Sequence, residues 1–238
     1  MSSEIVAGVV IAKQFSARLH RKNMQDLCGK PVVEWSFIQG KACQQITHLV
    51  FVTDDLEMGE IAKQYTPHVV YQDPARTLPK VASGWIAVNE GLEYLAKEVG
   101  EPSIVVALLP TSPLKKRDDL SNLVWTYRKW RQAKGVKLVQ PAVRCHELTL
   151  HMDLGNGAMA RMAPAVAGES RYLNTACIGW NAADFAQYRA TWDATTYDDP
   201  LVYMELEPWQ GFDIDREVDL DIARALFQKY VIDKGGYE

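Results

Sequence analysis

Short apolar runs rich in β-branched residues recur along the chain at Ile5 to Ile11, His48 to Thr53, Val69 to Tyr71 and Ser103 to Leu109. They are apolar at successive positions, as expected of strands covered on both faces of a sheet. Between them the period changes. Val32 to Gln39 repeats Trp35 and Ile38 on one face, Asp54-Asp55 can cap a helix continued by Ile61 and Tyr65, and Ser83 can cap one carrying Trp85, Val88, Leu92, Leu95 and Val99. Asp118 or Asp119 can cap a fourth helix, with Leu120, Leu123, Val124, Tyr127 and Trp130 on its buried side and Gly135 ending it. This alternation predicts a mainly parallel sheet with right-handed crossovers, a Rossmann-like α/β arrangement. After a further strand, Val136 to Val143, the rhythm breaks. Leu148 to Met162 alternates apolar and polar residues around Gly155-Asn156-Gly157, a hairpin signal. The expectation is one domain over 1–238, with a small hairpin-containing lobe at about 140–175. A strand at Leu201 to Glu207 and a helix carrying Ile222, Ala223, Leu226, Phe227 and Tyr230 complete the pattern.

Composition narrows the class. With 238 residues, 47% of them hydrophobic, the chain can bury one sizeable core. A formal charge of −4 argues against a general nucleic-acid binder, which needs a broad basic face. No apolar run approaches the roughly 18 residues of a spanning helix, and Met1 to Glu4 lacks the marks of a signal peptide. A cytoplasmic, non-membrane protein is expected. Cys28, Cys43, Cys145 and Cys177 are widely separated without metal-binding spacing, so free thiols are expected in place of a zinc site or a disulfide framework.

Three stretches carry candidate chemistry. Lys13 to Lys22 follows the first strand and holds Lys13, Arg18, Arg21 and Lys22 with no acidic residue. Positive charge at the carboxyl end of a central strand suits a polyanion such as a nucleoside triphosphate. Pro110-Thr111-Ser112-Pro113 makes a rigid extended turn at the end of the strongest strand. Asp213-Ile214-Asp215 places two carboxylates at alternate positions, pointing the same way if extended. Hard oxygen ligands of this kind suit Mg²⁺ together with substrate phosphates.

In this order the stretches resemble the motifs of the CMP-sugar synthetases, cytidylyltransferases acting on sialic acids and related sugar acids. I-A-K-Q-F-S-A, Lys22-Asn23 and Leu27-Cys28-Gly29-Lys30-Pro31 stand for the family's I-x-A-R-x-G-S-K, K-N and L-x-G-K-P. L-L-P-T-S-P-L-K stands for L-Q-P-T-S-P-L-R, Arg171 to Trp180 is similar to its Y-x-x-N-G-A-I-Y strand, and Asp213, Asp215 and Asp219-Leu220 match its acidic end. The chain departs at Lys13 for Arg, Phe15 for Gly, Leu109 for Gln and Thr175 for Gly.

The resemblance implies a nucleotidyltransferase fold and transfer of CMP from CTP to a sugar acid with release of pyrophosphate. It implies Lys22 and Asp215 as catalytic residues, and Asp213 with Asp215 as ligands of Mg²⁺. Ala12, Lys13, Ser16, Arg18, Asn23, Arg76 and Ser83 become candidate CTP contacts, and Leu109, Thr111, Arg161, Arg171 and Asn174 candidate acceptor contacts. A homodimer is also implied. Phe15 motivates an alternative: glycine at that loop position permits positive φ, where phenylalanine is strained. That alternative is a nucleotide-binding or regulatory homologue weakened in catalysis; a separate one is a nucleotidyltransferase with another acceptor or base, or a nucleotide-sugar-dependent glycosyltransferase.

Overall fold

The computed structural model describes residues 4–73, 84–134, 138–145, 151–153, 159–161, 171–174, 177–180 and 201–237, and between 142 and 180 it describes the backbone alone. β1 (Val6–Ala12) leads through a basic loop to the short antiparallel pair β2 (Asp26–Leu27) and β3 (Lys30–Pro31), and then to α1 (Val32–Ala42). β4 (His48–Thr53), α2 (Leu56–Ala62), β5 (His68–Tyr71), α3 (Gly84–Glu98), β6 (Ile104–Leu108) and α4 (Asp119–Lys134) follow. Strands β6, β1, β4 and β5 lie side by side in that order and all pair in parallel.

Successive side chains of a strand point to opposite faces, and β1 is covered on both. Val6 and Val10 join Phe37, Phe51 and Tyr127, whereas Ala7 and Val9 join Val88, Leu92 and Leu95 from α3. This explains its continuous apolar run.

β7 (Leu138–Cys145) continues the sheet, but a strand from the Arg171 to Trp180 stretch, whose place the rhythm does not give, separates it from β6. β11 (Cys177–Trp180) pairs antiparallel with both. β10 (Arg171–Asn174) also pairs antiparallel with β7, and β12 (Leu201–Leu206) pairs with it in parallel, making eight strands among the described residues. Within 140–175, β7 and β10 run in this sheet, while β8 (His151–Asp153) and β9 (Met159–Arg161) form an antiparallel sheet of their own about the Gly155-Asn156-Gly157 signal.

The helix expected to end at Gln39 runs on to Ala42. Gln39 and Gly40 look unlike core residues, yet both are buried because α1 is itself sandwiched. Its Val33 and Phe37 face the sheet cluster, and its Val32 and Trp35 join Leu27, Ile214 and Phe227 beneath α5 (Glu217–Tyr230). The Trp35 and Phe227 rings lie 4.6 Å apart. Gly40 permits the close approach: a Cβ there would sit 2.7 Å from Leu49 Cδ1. Asp55 caps α2 as expected, accepting from the Glu57 and Met58 amides at 2.8 and 3.1 Å. Cys28 and Cys43 are free thiols. Among the described residues no helix is long and apolar enough to cross a membrane.

Candidate active site

The basic loop is shaped by its own polar side chains. Asn23, 8% exposed, donates through Nδ2 to the Lys13 carbonyl at 3.1 Å and so draws the two ends of the loop together. The Gln14 amide donates to Asp54 Oδ1 at 2.7 Å, fixing the loop against the end of β4. Arg21 takes the left-handed conformation, φ 45°, that opens the 3-10 turn Lys22–Met24. The side chain at this reversal goes one way, and those of Arg18 and Lys22 on either side of it go another.

Arg21 pairs with Asp55 and Glu57, at the cap and first turn of α2, at 3.0 and 2.7 Å. Lys22 and Arg18 reach the other way, to Asp215. Lys22 Nζ lies 3.0 Å from Asp215 Oδ1 and Arg18 Nη2 lies 2.8 Å from Oδ2. The Lys22 side chain is 14% exposed and that of Arg18 61%, so the lysine pair is the better shielded from water. Residues 193 positions apart thus form one charged centre.

The strain expected at Phe15 is absent. Among the described residues other than glycine, positive φ occurs at Arg21 and Cys28, and Phe15 is 68% exposed. The loop reverses through Arg21, so Phe15 needs no left-handed backbone.

The proline turn and the acidic segment are bonded to each other. The Ile214 amide donates to the Thr111 carbonyl at 2.8 Å, and Ser112 Oγ donates to Asp213 Oδ1 at 3.1 Å. Ile214 is fully buried between an exposed Asp213 and a part-buried Asp215, so both carboxylates stand on the outward side. Asp219 serves this arrangement from α5, its Oδ2 accepting from the amides of Asp215 and Arg216 at 3.0 and 2.8 Å. Ser112 was not legible as a site residue, since only the fold brings its hydroxyl to Asp213.

Ala12, Lys13, Asn23, Leu109 and Thr111 line one cleft at the carboxyl ends of β1, β4 and β6, together with Gln72 and apolar side chains that include Val52 and Ala87. Ser16 lies part-exposed on the loop before Arg18. Arg76 and Ser83 lie outside the described residues. Arg161 stands on β9, and Arg171 and Asn174 stand on β10 opposite Cys145 and Ala142; the described structure gives their backbone alone. Among the described residues no three His, Cys, Asp or Glu side chains gather into a group that could hold a metal ion.

Behind the turn sits a buried carboxyl. Asp119 is 8% exposed, and its Oδ2 accepts from the Lys116 amide at 2.6 Å and from Gln210 Nε2. Burial pushes its pKa above the ordinary 3.8, although those hydrogen bonds and the nearby lysines pull it back. A carboxyl raised on folding contributes stability below its unfolded pKa and loses it as pH rises through the folded value. Asp119→Asn removes that titration. The melting temperature of the variant minus that of the wild type is therefore expected to increase as pH rises from about 3.9, and a difference independent of pH would refute the shift.

The comparisons with known proteins agree with this geometry. The model of the cytidylyltransferase family matches residues 7–235, and the chain belongs to that family. A 3-deoxy-manno-octulosonate cytidylyltransferase of Idiomarina loihiensis is 24% identical over 183 residues, covering 77% of this chain and 67% of that protein. A pseudaminic acid cytidylyltransferase of Campylobacter jejuni is 27% identical over 124 residues, 52% of each chain. A structure of CMP:2-keto-3-deoxy-manno-octonic acid synthetase complexed with CTP superposes with a TM-score of 0.69 at 16% identity, covering 96% of this chain and 100% of that one. The 4-diphosphocytidyl-2C-methyl-D-erythritol synthase of Anaerococcus prevotii superposes at 0.68 with 13% identity, covering 94% and 96%. Both carry the same α/β fold, the Rossmann-like arrangement expected from the alternating pattern and the nucleotidyltransferase fold implied by the resemblance.

Proposed function

We propose that the protein transfers CMP from CTP to a sugar acid and releases pyrophosphate. The observation that carries this reading is the meeting of Lys22, Arg18 and Asp215 beside the joined Thr111 and Ile214, at the sheet end where open α/β folds bind ligands. Names of relatives support the acceptor class, since those relatives are cytidylyltransferases of 3-deoxy-manno-octulosonate and of pseudaminic acid. An acceptor hydroxyl attacks the α-phosphate while charge grows on the leaving pyrophosphate. Such a step needs positioning and cations more than a covalent nucleophile.

In this reading the side chains exchange partners. Without substrate, Asp215 pairs with both Lys22 and Arg18 and offsets one of their two charges; when the triphosphate enters, both cations turn to phosphate oxygens and Asp215 is released. The donor set of Asp213 and Asp215 fits Mg²⁺, which takes one or two carboxylates and completes its shell with phosphate oxygens and water. The ion when bound would supply charge neutralisation at those oxygens. In this reading Asp215 also accepts the proton of the acceptor hydroxyl.

Pyrophosphate release measured over the four nucleoside triphosphates and a panel of sugar acids tests this function. Release with CTP and a sugar acid is expected. Stabilisation by CTP without release from any acceptor would favour a binding protein.

The same panel tests Leu109. It stands in an apolar stretch of the cleft and cannot make the hydrogen bonds of a Gln amide. An acceptor hydroxyl left unpaired there loses about 1–3 kcal/mol, or roughly tenfold to a hundredfold in affinity. An acid with a less polar substituent than N-acetylneuraminate is thus expected to be the best acceptor, and Leu109→Gln to shift preference toward N-acetylneuraminate by a similar factor. If the wild type already prefers N-acetylneuraminate, Leu109 is packing alone.

A further inference from the structure

Five successive carbonyls, from Thr111 to Lys115, each accept a hydrogen bond. Their donors are Ile214 N, Lys115 Nζ, Gln39 Nε2, Gln210 Nε2 and Tyr237 OH in that order. A buried backbone carbonyl needs a protein partner where water is excluded, and here distant elements supply nearly all of them. Tyr237 closes the set. Its hydroxyl donates to the Lys115 carbonyl at 2.5 Å and accepts from Gln39 Nε2 at 2.9 Å, while the same nitrogen donates to the Pro113 carbonyl at 2.7 Å. The tyrosine is 8% exposed, packed with Trp35 at 6.2 Å between ring centres, and it does not line the cleft. On the other side of the same turn are the two bonds that hold the acidic segment, from Ile214 N to Thr111 and from Ser112 Oγ to Asp213.

We infer that Tyr237 is a positioning residue for Asp213, acting through the turn. This rests on the reading of Asp213 and Asp215 as the acidic pair of the nucleotidyl-transfer site. Prolines and two local backbone bonds, Ser112 N to Leu109 O and Lys115 N to Pro113 O, give the turn its local shape, and the groups that bond its carbonyls set where it sits against the rest of the fold. Removing the Tyr237 hydroxyl leaves the Lys115 carbonyl and one Gln39 N–H unpaired in a buried place. Both groups gain by shifting toward new partners, and Thr111 and Ser112 shift with them. The carboxylate of Asp213 then leaves its working position without any change in the residues that touch substrate.

Tyr237→Phe keeps the ring and removes only the hydroxyl. Amide hydrogen exchange in the peptide covering 212–215 is expected to quicken about tenfold in this variant, while β4, used as an internal reference, keeps its wild-type rate. Turnover should fall about tenfold with KM for CTP within about twofold, because misplacement acts on the reacting geometry. Ser112→Ala cuts the link from the other side, so the double variant should turn over no more slowly than the worse single one. Wild-type exchange at 212–215, or a rise shared equally by β4, overturns the inference, as does full additivity in kcat. Titration with Mn²⁺ separates the two readings. Binding retained in Asp213→Ala would remove the ion from that carboxylate, while exchange at 212–215 would still decide the role of Tyr237.

Discussion

Alanine at Asp213 or at Asp215 is expected to lower turnover by at least about tenfold to a hundredfold, in line with losses at metal-supporting positions. The two variants should differ in a way that follows from their partners. Asp213 accepts only from Ser112 among the contacts described, so Asp213→Ala leaves the Lys22–Asp215 pair in place. Asp215→Ala instead takes from Lys22 and Arg18 the carboxylate that both pair with. Two uncompensated cations favour a polyanion, so this variant should bind CTP in a metal chelator at least as tightly as the wild type does while failing to turn over. Turnover of the wild type should depend on Mg²⁺. Full activity of both variants in chelator would remove these residues from the site.

The second large effect is expected at Lys22. A ligand that binds only the folded state raises stability by mass action, by about 2.7 kcal/mol at a concentration a hundred times Kd. CTP is expected to raise the melting temperature more than GTP or ATP does, and Lys22→Ala to remove most of that rise. A charge-assisted hydrogen bond is worth about 1.5–3 kcal/mol, so affinity should drop roughly tenfold to a hundredfold. Arg18 is much more exposed than Lys22, and Arg18→Ala should therefore cost less. Equal stabilisation by every triphosphate would count against a cytidylyltransferase.

The parallel strands and the three stretches of the candidate site were determined by the sequence itself. Continuous β-branched runs such as Val6 to Ile11 mark strands buried on both faces, because period and burial are local properties. Basic residues without acids after β1, two prolines after β6 and alternate aspartates before α5 were also local signals. Partnership was not. Arg18, Arg21 and Lys22 look alike along the chain, yet one backbone reversal at Arg21 sends Arg21 to α2 and leaves the other two to Asp215. The insertion of β11 between β6 and β7 depends on pairing between strands far apart in sequence, which no local period records. Gln39, Gln210 and Tyr237 carry no motif. They matter because the fold buries them against the carbonyls of one turn, across separations of 74 residues for Gln39 and 122 for Tyr237, where a polar side chain is held by the partner it finds.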